Sequence, residues 1–267
     1  MKSEIAVRKS DIAVQKSVKR HQNNLNDLFL TYHSDSYFTF VLHSFYFLPN
    51  MLQKVKISVL MAVYNTDFSF IKRAIESVLK QDFQDFELII IDDGSDCENS
   101  KRILHYVEQH EDKIVYIRHK NRGQSESINR GVLNSVGEFI TIIDSDDAYK
   151  TNHLSACLRE IHGFDLIASS TETIVDTYAD YYVPDKNDLT QLIHLDDCTL
   201  FGTLFGRREV FNTISFKSGF AADADFYSKA TSLFRVNKVN LRTYIYYRNI
   251  PNSICATIKK QNFLFID

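Results

Sequence analysis

The most constraining feature of this sequence is a series of apolar runs that each lead into polar residues. They are "KISVLMAVYN" (56–65), "FELIIIDDGS" (86–95), "KIVYIRHK" (113–120) and "FITII" (139–143). Near-continuous apolar runs of this length are typical of strands that are covered on both faces, as in a parallel sheet. The chain must therefore supply covering elements between them.

The segments between these runs have helical character. In the first, apolar residues recur at helical spacing, at Ile71, Ala74, Ile75, Val78 and Leu79. The second is "ENSKRILHYVEQH" (98–110) and the third is "GQSESINRGVLNSV" (123–136), where small Ser127 and Gly131 predict close packing on the sheet. Regular alternation without a Gly-Pro linker predicts an α/β fold with one doubly wound sheet.

Ligands of doubly wound sheets bind beyond the carboxyl ends of the strands. Polar or acidic residues follow three of the four predicted strands at that edge: Tyr64, Asn65, Asp92, Asp93, Asp144, Asp146 and Asp147. We therefore expect these residues to lie along one rim.

Composition excludes several classes of protein. With 267 residues, 44% of them hydrophobic, the chain can bury a full core, and its net charge of -3 predicts no nucleic-acid partner. The four cysteines, at 97, 157, 198 and 255, form no CxxC pair, so neither a disulfide framework nor a structural metal site is indicated and a reducing cytosol is the default. The most apolar window, 37–48, is too short to span a bilayer.

The first fifty residues differ from the rest. A seven-residue repeat starts at Ser3, Ser10 and Ser17, but it falls short of the three to four heptads of a coiled coil. An amphipathic helix and a disordered basic arm are alternatives, and either could touch a membrane surface or a partner. We predict an N-terminal extension (1–53), one catalytic domain (54–257) and a C-terminal tail (258–267).

The acidic stretch "DSDD" after the fourth run predicts a cation site. Because alternate residues of an extended strand point the same way, Asp144 and Asp146 can face one ligand while Ser145 turns away. Their oxygens suit a hard divalent cation that leaves room for phosphate. The alternative is a solvated acidic turn. Likewise, "DDGS" could be turn chemistry in which Asp92 caps the next helix, and Tyr64 could be a core aromatic.

Six ordered motifs carry a family resemblance: "ISVLMAVYN", "IESVLKQDF", "FELIIIDDGS", "NRGQSESINRGV", "GEFITIIDSDDAY" and "YYRNIPNSI". Together, over residues 55–257, they resemble the family 2 glycosyltransferases of GT-A fold, which is Rossmann-like with a doubly wound mixed sheet. The resemblance implies a nucleotide-diphosphate sugar donor, usually a UDP-sugar, with Mn²⁺ or Mg²⁺ as cofactor and inversion at the sugar. It also implies a hexosyl- or N-acetylhexosaminyltransferase that builds polysaccharide.

The resemblance also implies roles for residues. Donor-binding residues would be Ala62, Tyr64, Asp92, Asp93, Asp144 and Ser145. Tyr64 would lie against the base, Asp93 would hydrogen-bond its edge, and Asp92 would support that pocket. Asp144 and Asp146 would form the DxD motif, with Asp146 as the direct metal ligand and Asp144 near ribose and metal. Asp147 would support them from behind.

The general base implied by the resemblance is Asp223, in "GFAADADFYSKA" (219–230). The family commonly has an acidic residue where this chain has Ala222, which removes a supporting carboxylate. Asp223 could instead cap a helix, and Asp225 could be confused with it.

The acceptor implied by the resemblance is a hydroxyl of a glycan or a lipid-linked saccharide. The enzyme would be cytoplasmic, with peripheral contact at the inner membrane face through Phe38, Phe40 and Phe45. Segments 198–211 and 176–188 would line the acceptor side or be solvated connections, and Arg248 would contact a phosphate or the acceptor.

Other functions remain as alternatives. The absence of an acid at Ala222 leaves open a relative that binds a nucleotide-sugar without transferring it. A haloacid dehalogenase-type phosphatase also runs a strand into DxD, but it expects Thr or Val at the position of Ala148. A nucleotidyltransferase would need a glycine-rich loop after the first strand, which "AVYNTDF" lacks.

Overall fold

The structure is a computed structural model that describes residues 55–248. The predicted N-terminal extension, its phenylalanines, Cys255 and the C-terminal tail lie outside the described residues. The strands are β1 Ile57–Val63, β2 Phe86–Asp92, β3 Ile114–Arg118, β4 Phe139–Ile142, β5 Ala148–Tyr149, β6 Leu166–Ile174, β7 Tyr182–Pro184, β8 Leu192–His194, β9 Leu204–Arg207 and β10 Val236–Tyr247. The helices are α1 Phe68–Leu79, α2 Cys97–Val107, α3 Gln124–Asn134, α4 His153–Glu160, α5 Arg208–Thr213 and α6 Ala222–Leu233.

Eight strands form one mixed sheet in the order β3-β2-β1-β4-β9-β6-β10-β5. Strands β1 to β4 are parallel where they pair, whereas β9 is antiparallel to both of its neighbours. Because β10 then runs parallel to β6, its carboxyl end lies at the same rim as those of β1, β2 and β4. The prediction of an α/β fold with a doubly wound mixed sheet is confirmed.

The four predicted strands and three predicted helices are present, with shorter ends. Strands β1 and β4 stop before the polar residues that follow them, so Tyr64 and Asn65 lie beyond β1, whereas Asp92 is the last residue of β2. Asn65 has a left-handed backbone, with φ of 49°, which ends the extended chain there. Apart from Asp92, the predicted rim residues therefore lie in the connections after the strands.

The two faces of the sheet carry separate cores. Helices α1 and α2 cover one face, where Ile71, Ile75 and Ile103 are fully buried. Helix α3 packs on the other face, with α5 and α6. A Cβ added at Gly131 in α3 would lie 2.9 Å from the Ile91 side chain, so this glycine permits the predicted close packing of helix on sheet. Ser127, also in α3, is fully buried.

A separate two-stranded hairpin of β7 and β8 lies in the long connection from β6 to β9, with Tyr182 paired to His194. No helix within residues 55–248 is long and apolar enough to cross a membrane.

Candidate active site

The turn after β4 carries the predicted DxD carboxylates. Asp144 is partly exposed and accepts a hydrogen bond from Gln124 Nε2 at 2.7 Å. Its backbone N–H donates to the Tyr244 hydroxyl at 3.2 Å. Gln124 is the first residue of α3 and Tyr244 lies in β10, so two distant elements orient Asp144.

Asp146 is held differently, through its backbone. The Arg73 guanidinium donates to the Asp146 carbonyl oxygen and stacks on the Tyr247 ring, 3.7 Å from its centroid. No other residue within 55–248 donates a hydrogen bond to the Asp146 carboxylate. The backbone is therefore fixed while the side chain keeps its acceptor capacity for a ligand.

Asp147 is turned away from the rim. It is fully buried and accepts from the Tyr244 hydroxyl at 2.6 Å and from the Tyr247 N–H at 2.9 Å. Tyr244 thus contacts both Asp144 and Asp147, which fits the expected supporting role of Asp147.

The carboxylates resist ionisation in the free protein. Burial raises the pKa of Asp144 to about 7, and the charges of Asp146 and Asp223 add to the rise. Burial also raises the pKa of Asp146, while the charge of Arg73 opposes the rise. Because the Asp223 charge acts on Asp144, carboxylates almost 80 residues apart in sequence share one site.

These residues fit a divalent cation completed by a substrate. No group of three metal-ligating side chains is present among residues 55–248, since Asp147 points inward. Mg²⁺ commonly binds through only one or two carboxylates plus substrate phosphates. Asp144 and Asp146 supply that set, and their mutual repulsion is the kind that a cation relieves.

Asp223 lies in the first turn of α6, and its carboxylate is fixed by backbone groups. Its two oxygens accept from the Phe201 N–H at 3.1 Å and the Ala224 N–H at 2.8 Å. The helix N-cap is Ala221, so the interpretation of Asp223 as the cap is wrong. Burial raises the pKa of Asp223 to about 6, a value suited to accepting a proton near neutral pH.

The neighbouring Asp225 is clearly distinguished from Asp223. It is exposed and forms an ion pair with Lys186 at 2.7 Å, on the turn between β7 and β8. Ala222 is buried in the core beneath the helix, so an acidic residue at that position would need a partner that the apolar surroundings do not offer.

A glycine joins the Asp223 side of the site to the DxD side. Gly202 follows Phe201, whose N–H binds Asp223, and a Cβ at position 202 would overlap the Tyr244 ring and hydroxyl. Tyr244 can reach Asp144 and Asp147 only because residue 202 has no side chain.

Asp92, the last residue of β2, and the adjacent Asp93 are both buried. Asp92 is fully buried and accepts from Ser100 Oγ at 2.6 Å, Tyr116 Oη at 2.5 Å and the Ser95 N–H at 2.8 Å. It does not cap the next helix, because Asp96 does so. Its place agrees with the expected support of the loop, although a direct contact with a donor stays a prediction.

Asp93 fixes the loop before α3. Its two oxygens accept from the Arg122 and Gly123 N–H groups, at 2.7 and 2.8 Å. It is only 3% exposed, so binding to the edge of a base would use the remaining lone pairs and stays a prediction. These two hydrogen bonds hold the loop "NRGQ" (121–124) at the rim, so that Gln124 lies within hydrogen-bond distance of Asp144.

The remaining predicted donor residues lie along β1 and the DxD turn. Tyr64 is 53% exposed, so the interpretation as a core aromatic is wrong and its ring is available for stacking. Ala62 is partly buried just before the end of β1. Ser145 turns from the carboxylates and pairs with Thr66 Oγ1 at 2.8 Å, so a donor contact by its hydroxyl stays a prediction.

Sequence reasoning missed four residues that build the site, namely Gln124, Tyr244, Gly202 and Arg73. Gln124 and Tyr244 lie in or beside motifs quoted above, but no local pattern shows which acidic residue they contact. Arg73 lies on a helix and Gly202 in a loop, and only the folded contacts give them a role.

The two predicted acceptor-side segments reach the site at different points. Segment 198–211 includes Phe201 and Gly202, beside Asp223 and Tyr244. Segment 176–188 approaches through Lys186 and through Asp180, whose carbonyl accepts from Arg248 Nε at 3.1 Å. Both segments therefore border the site, while acceptor binding by Arg248 stays a prediction.

Comparison with known proteins gives the family. The family model for glycosyl transferase family 2 matches residues 58–222, more than half of the chain. Among curated relatives, glycosyltransferase GlyG of Streptococcus pneumoniae is 29% identical over 143 residues, 53% of this chain and 45% of the relative. The GalNAc(5)-diNAcBac-PP-undecaprenol beta-1,3-glucosyltransferase of Campylobacter jejuni is 31% identical over 107 residues, 39% of this chain and 34% of the relative. The chain thus spans less than half the length of these relatives.

Solved structures agree in fold. TarS of S. aureus in complex with UDP-GlcNAc has a TM-score of 0.57 at 22% identity, covering 76% of this chain and 60% of TarS. The mannosyltransferase PcManGT of Pyrobaculum calidifontis, in complex with GDP-Man and Mn²⁺, has a TM-score of 0.59 at 15% identity, covering 78% and 62%. These structural neighbours have the GT-A fold. Because the family model matches residues 58–222, more than half of the chain, the chain belongs to glycosyl transferase family 2.

Proposed function

We propose that this chain is an inverting glycosyltransferase that moves a sugar from a nucleotide-diphosphate donor, a UDP-sugar, to a hydroxyl of a glycan or lipid-linked saccharide. The observation that carries this proposal is that Tyr244 and the Phe201–Gly202 loop bring Asp223 to the DxD turn of Asp144 and Asp146. Two functions are separable there, because Asp146 keeps its acceptor capacity for a donor-bound cation and Asp223 is held apart on α6.

Each proposed role follows from the contacts of the residue. The exposed ring of Tyr64 offers a face for the base of the donor. Gln124 and Tyr244 hold Asp144, while Arg73 holds the backbone of Asp146, so the Asp144 side chain and the Asp146 backbone are positioned before the donor arrives. When Mn²⁺ or Mg²⁺ is bound at such a site, it supplies charge stabilisation at the diphosphate oxygens of the departing nucleotide.

Asp223 would take the proton from the acceptor hydroxyl as its oxygen attacks the anomeric carbon. The new carbon–oxygen bond forms as the bond to the donor phosphate breaks, and the nucleotide leaves with the electron pair. A single displacement of this kind inverts the anomeric configuration. The two backbone N–H groups on the Asp223 carboxylate fix its direction, and a pKa of about 6 keeps it ionised at neutral pH.

The comparisons support the donor and acceptor classes of this proposal. The TarS structure holds UDP-GlcNAc, the PcManGT structure holds GDP-Man and Mn²⁺, and the Campylobacter relative is named for an undecaprenol-linked acceptor. Such an acceptor would bring the enzyme to the inner membrane face from the cytoplasm. The donor sugar, whether hexosyl or N-acetylhexosaminyl, is decided by the test below.

The test is release of nucleotide from UDP-, GDP- and dTDP-sugars, with and without Mn²⁺, followed by proton NMR of the released sugar. We expect slow, metal-dependent hydrolysis of one donor. Where the donor linkage is α, the first sugar to appear should be the β-anomer, before mutarotation. Release of the α-anomer would contradict inversion. Absence of any donor turnover or binding, with cleavage of phosphomonoesters instead, would contradict the transferase proposal.

A further inference from the structure

Four aromatic rings form a group on the segment between β6 and β9, which we call the tyrosine cluster: Tyr178, which is exposed, and the half-buried Tyr181, Tyr182 and His194. The Tyr178 ring lies 6.0 Å from Tyr181 and 5.8 Å from Tyr182, centroid to centroid. His194 stacks on Tyr181 at 5.6 Å and meets Tyr182 nearly edge-on at 5.3 Å. Tyr178 is 72% exposed, so aromatic surface that usually seeks burial faces solvent here.

The backbone holds these rings in place without any ligand. Tyr182 and His194 are directly paired across the hairpin of β7 and β8. The turn that carries Tyr178 and Tyr181 begins with Thr177, whose hydroxyl and N–H both donate to the Asp180 carboxylate. The Tyr178 and Tyr182 hydroxyls lie 3.4 Å apart. A ligand that stacks on this surface would therefore lose little binding free energy to the ordering of these side chains.

The tyrosine cluster stands beside the proposed active site. Arg248 Nε donates to the Asp180 carbonyl, next to Tyr181, and the adjacent Tyr247 N–H donates to Asp147. Two adjacent residues, Tyr247 and Arg248, therefore connect the DxD turn to the turn that carries the cluster. At the other end of the hairpin, Lys186 pairs with Asp225, two residues from Asp223. The cluster and the hairpin thus flank the side of the site where an acceptor would enter.

The charges around the tyrosine cluster limit what can bind there. Residues 174–198 contain six aspartates and one lysine. Lys238, Arg242 and Arg248 also contact this segment. Six aspartates against these three cations and Lys186 leave a net charge of about -2, so a phosphate or another anion would still meet net negative charge. The face of an aromatic ring is itself negative and attracts polarised C–H groups, such as those on the apolar face of a pyranose.

We propose that the tyrosine cluster binds a neutral pyranose ring of the acceptor, one or more sugar units away from the reacting hydroxyl. This inference rests on the proposed function and deepens it, since it makes the acceptor a saccharide chain whose uncharged part lies on Tyr178. Any phosphate of a lipid-linked acceptor would lie elsewhere. The aspartates around the cluster would accept hydrogen bonds from sugar hydroxyls.

The chain contains no tryptophan, so a single introduced tryptophan reports on one position alone. Tyr178→Trp keeps an exposed stacking face in the tyrosine cluster, and Tyr64→Trp places the same reporter on the donor side. The full-length variants are titrated with methyl β-D-glucopyranoside, methyl β-D-galactopyranoside and the methyl glycoside of N-acetylglucosamine. Sorbitol, which has no ring face, is the matched solute, and UDP with Mn²⁺ is the donor-side ligand.

We expect the Tyr178→Trp emission to change saturably, in the millimolar range, with at least one methyl glycoside and not with sorbitol. We expect Tyr64→Trp to respond to UDP with Mn²⁺. If only the Tyr64 reporter responds, the proposed function stands and the saccharide site is overturned. If only the Tyr178 reporter responds, the donor site has been misread.

A membrane surface is the competing occupant of the tyrosine cluster. A blue shift of the Tyr178→Trp emission with vesicles of anionic phospholipid, and not with glycosides, would replace the saccharide by a lipid surface. Saturation-transfer NMR on the unmodified chain gives a second measurement. The ring protons of a bound methyl glycoside should receive saturation, and Tyr178→Ser should abolish the signal while Tyr178→Phe retains it.

Discussion

At the scale of single residues, the site uses carboxylates in unequal environments. Asp147 is buried and fully hydrogen-bonded, Asp146 keeps its acceptor capacity, and Asp223 is held by two backbone N–H groups. The sequence predicted that these aspartates share a rim, because strand ends of a parallel sheet meet there. It could not predict which one turns inward, since that depends on a tyrosine about 100 positions later.

The raised pKa of Asp223 predicts the pH dependence of the reaction. A base must be ionised to accept a proton, so kcat/KM should rise with pH through about 6 and level off above it. The measurement is a pH profile from 5 to 8.5 at saturating Mn²⁺, where the cation removes the titration of Asp144. Asp223→Asn should flatten the profile as well as lower it. A wild-type profile that is flat across pH 6 would contradict the role of Asp223.

The Tyr244 hydroxyl should position the DxD turn. Tyr244→Phe removes the donor to Asp147 and the acceptor for the Asp144 N–H, and we expect a loss of roughly 1 to 3 kcal/mol in unfolding free energy. The Mn²⁺ concentration for half-maximal activity should rise several-fold as well. Tyr149→Phe is the matched control, because its buried hydroxyl donates to the Ile142 carbonyl and not to these aspartates. Equal Mn²⁺ requirements in the two variants would refute a positioning role.

At the scale of elements, the sequence pattern predicted strands β1 to β4 but not the later strands of the sheet. Strands β1 and β2 are almost wholly buried apolar runs, so their pattern stands out. Strand β10 has few buried residues, with Thr243 and Tyr244 buried next to each other, and it contains a register shift between Val239 and Tyr244. Its pattern alone does not indicate a strand that pairs with β6 and reaches the site.

The loop at Phe201–Thr203 is the element that joins the base to the DxD turn. In Gly202→Ala the new methyl group would overlap the Tyr244 ring, so we expect a loss of about 1 to 3 kcal/mol in stability and a larger fractional loss of activity. Denaturant unfolding and donor hydrolysis would measure the two effects.

Gly163→Ala is the control for that substitution. Gly163 has φ of +82° and open space around a Cβ, so alanine there costs about 1 kcal/mol through the backbone alone. Its activity at a temperature well below unfolding should equal that of the wild type. If Gly202→Ala also keeps full activity when folded, the loop does not link the two halves of the site.

At the scale of the whole molecule, the charge of the Asp223 carboxylate lowers the stability of the folded protein. The folded protein holds a proton on Asp223 up to about pH 6, whereas the unfolded chain loses it near pH 3.8. Stability therefore falls as pH rises between these values, and the penalty is fully present above pH 6. Burial is the largest cause, so removing the charge should stabilise the fold.

Asp223→Asn removes this charge, but its amide nitrogen cannot accept from one of the two backbone N–H groups, a loss that is the same at every pH. Allowing for solvent screening of this partly exposed group, we expect the stability of the variant relative to wild type to improve by about 1 to 2 kcal/mol, or about 2 to 8 °C, from pH 4 to pH 7.5. Calorimetry at the two pH values measures it, with exposed Asp225→Asn as the control. A stability difference between variant and wild type that is the same at both pH values would contradict the charge penalty.

The central claim is that Asp146 serves the donor and its cation while Asp223 serves the acceptor proton. The most direct measurement uses the nucleotide-sugar that the enzyme is found to hydrolyse. Its binding in the presence of Mn²⁺, measured by calorimetry, and its turnover are compared for Asp146→Asn, Asp223→Asn and the Asp225→Asn control. We predict that Asp146→Asn loses metal-dependent binding and turnover together. Asp223→Asn should bind as wild type and lose about 10² to 10⁴ in rate. Asp225→Asn should bind and turn over the donor as the wild type does. Loss of donor binding in Asp223→Asn, or full turnover in Asp146→Asn, would contradict the account.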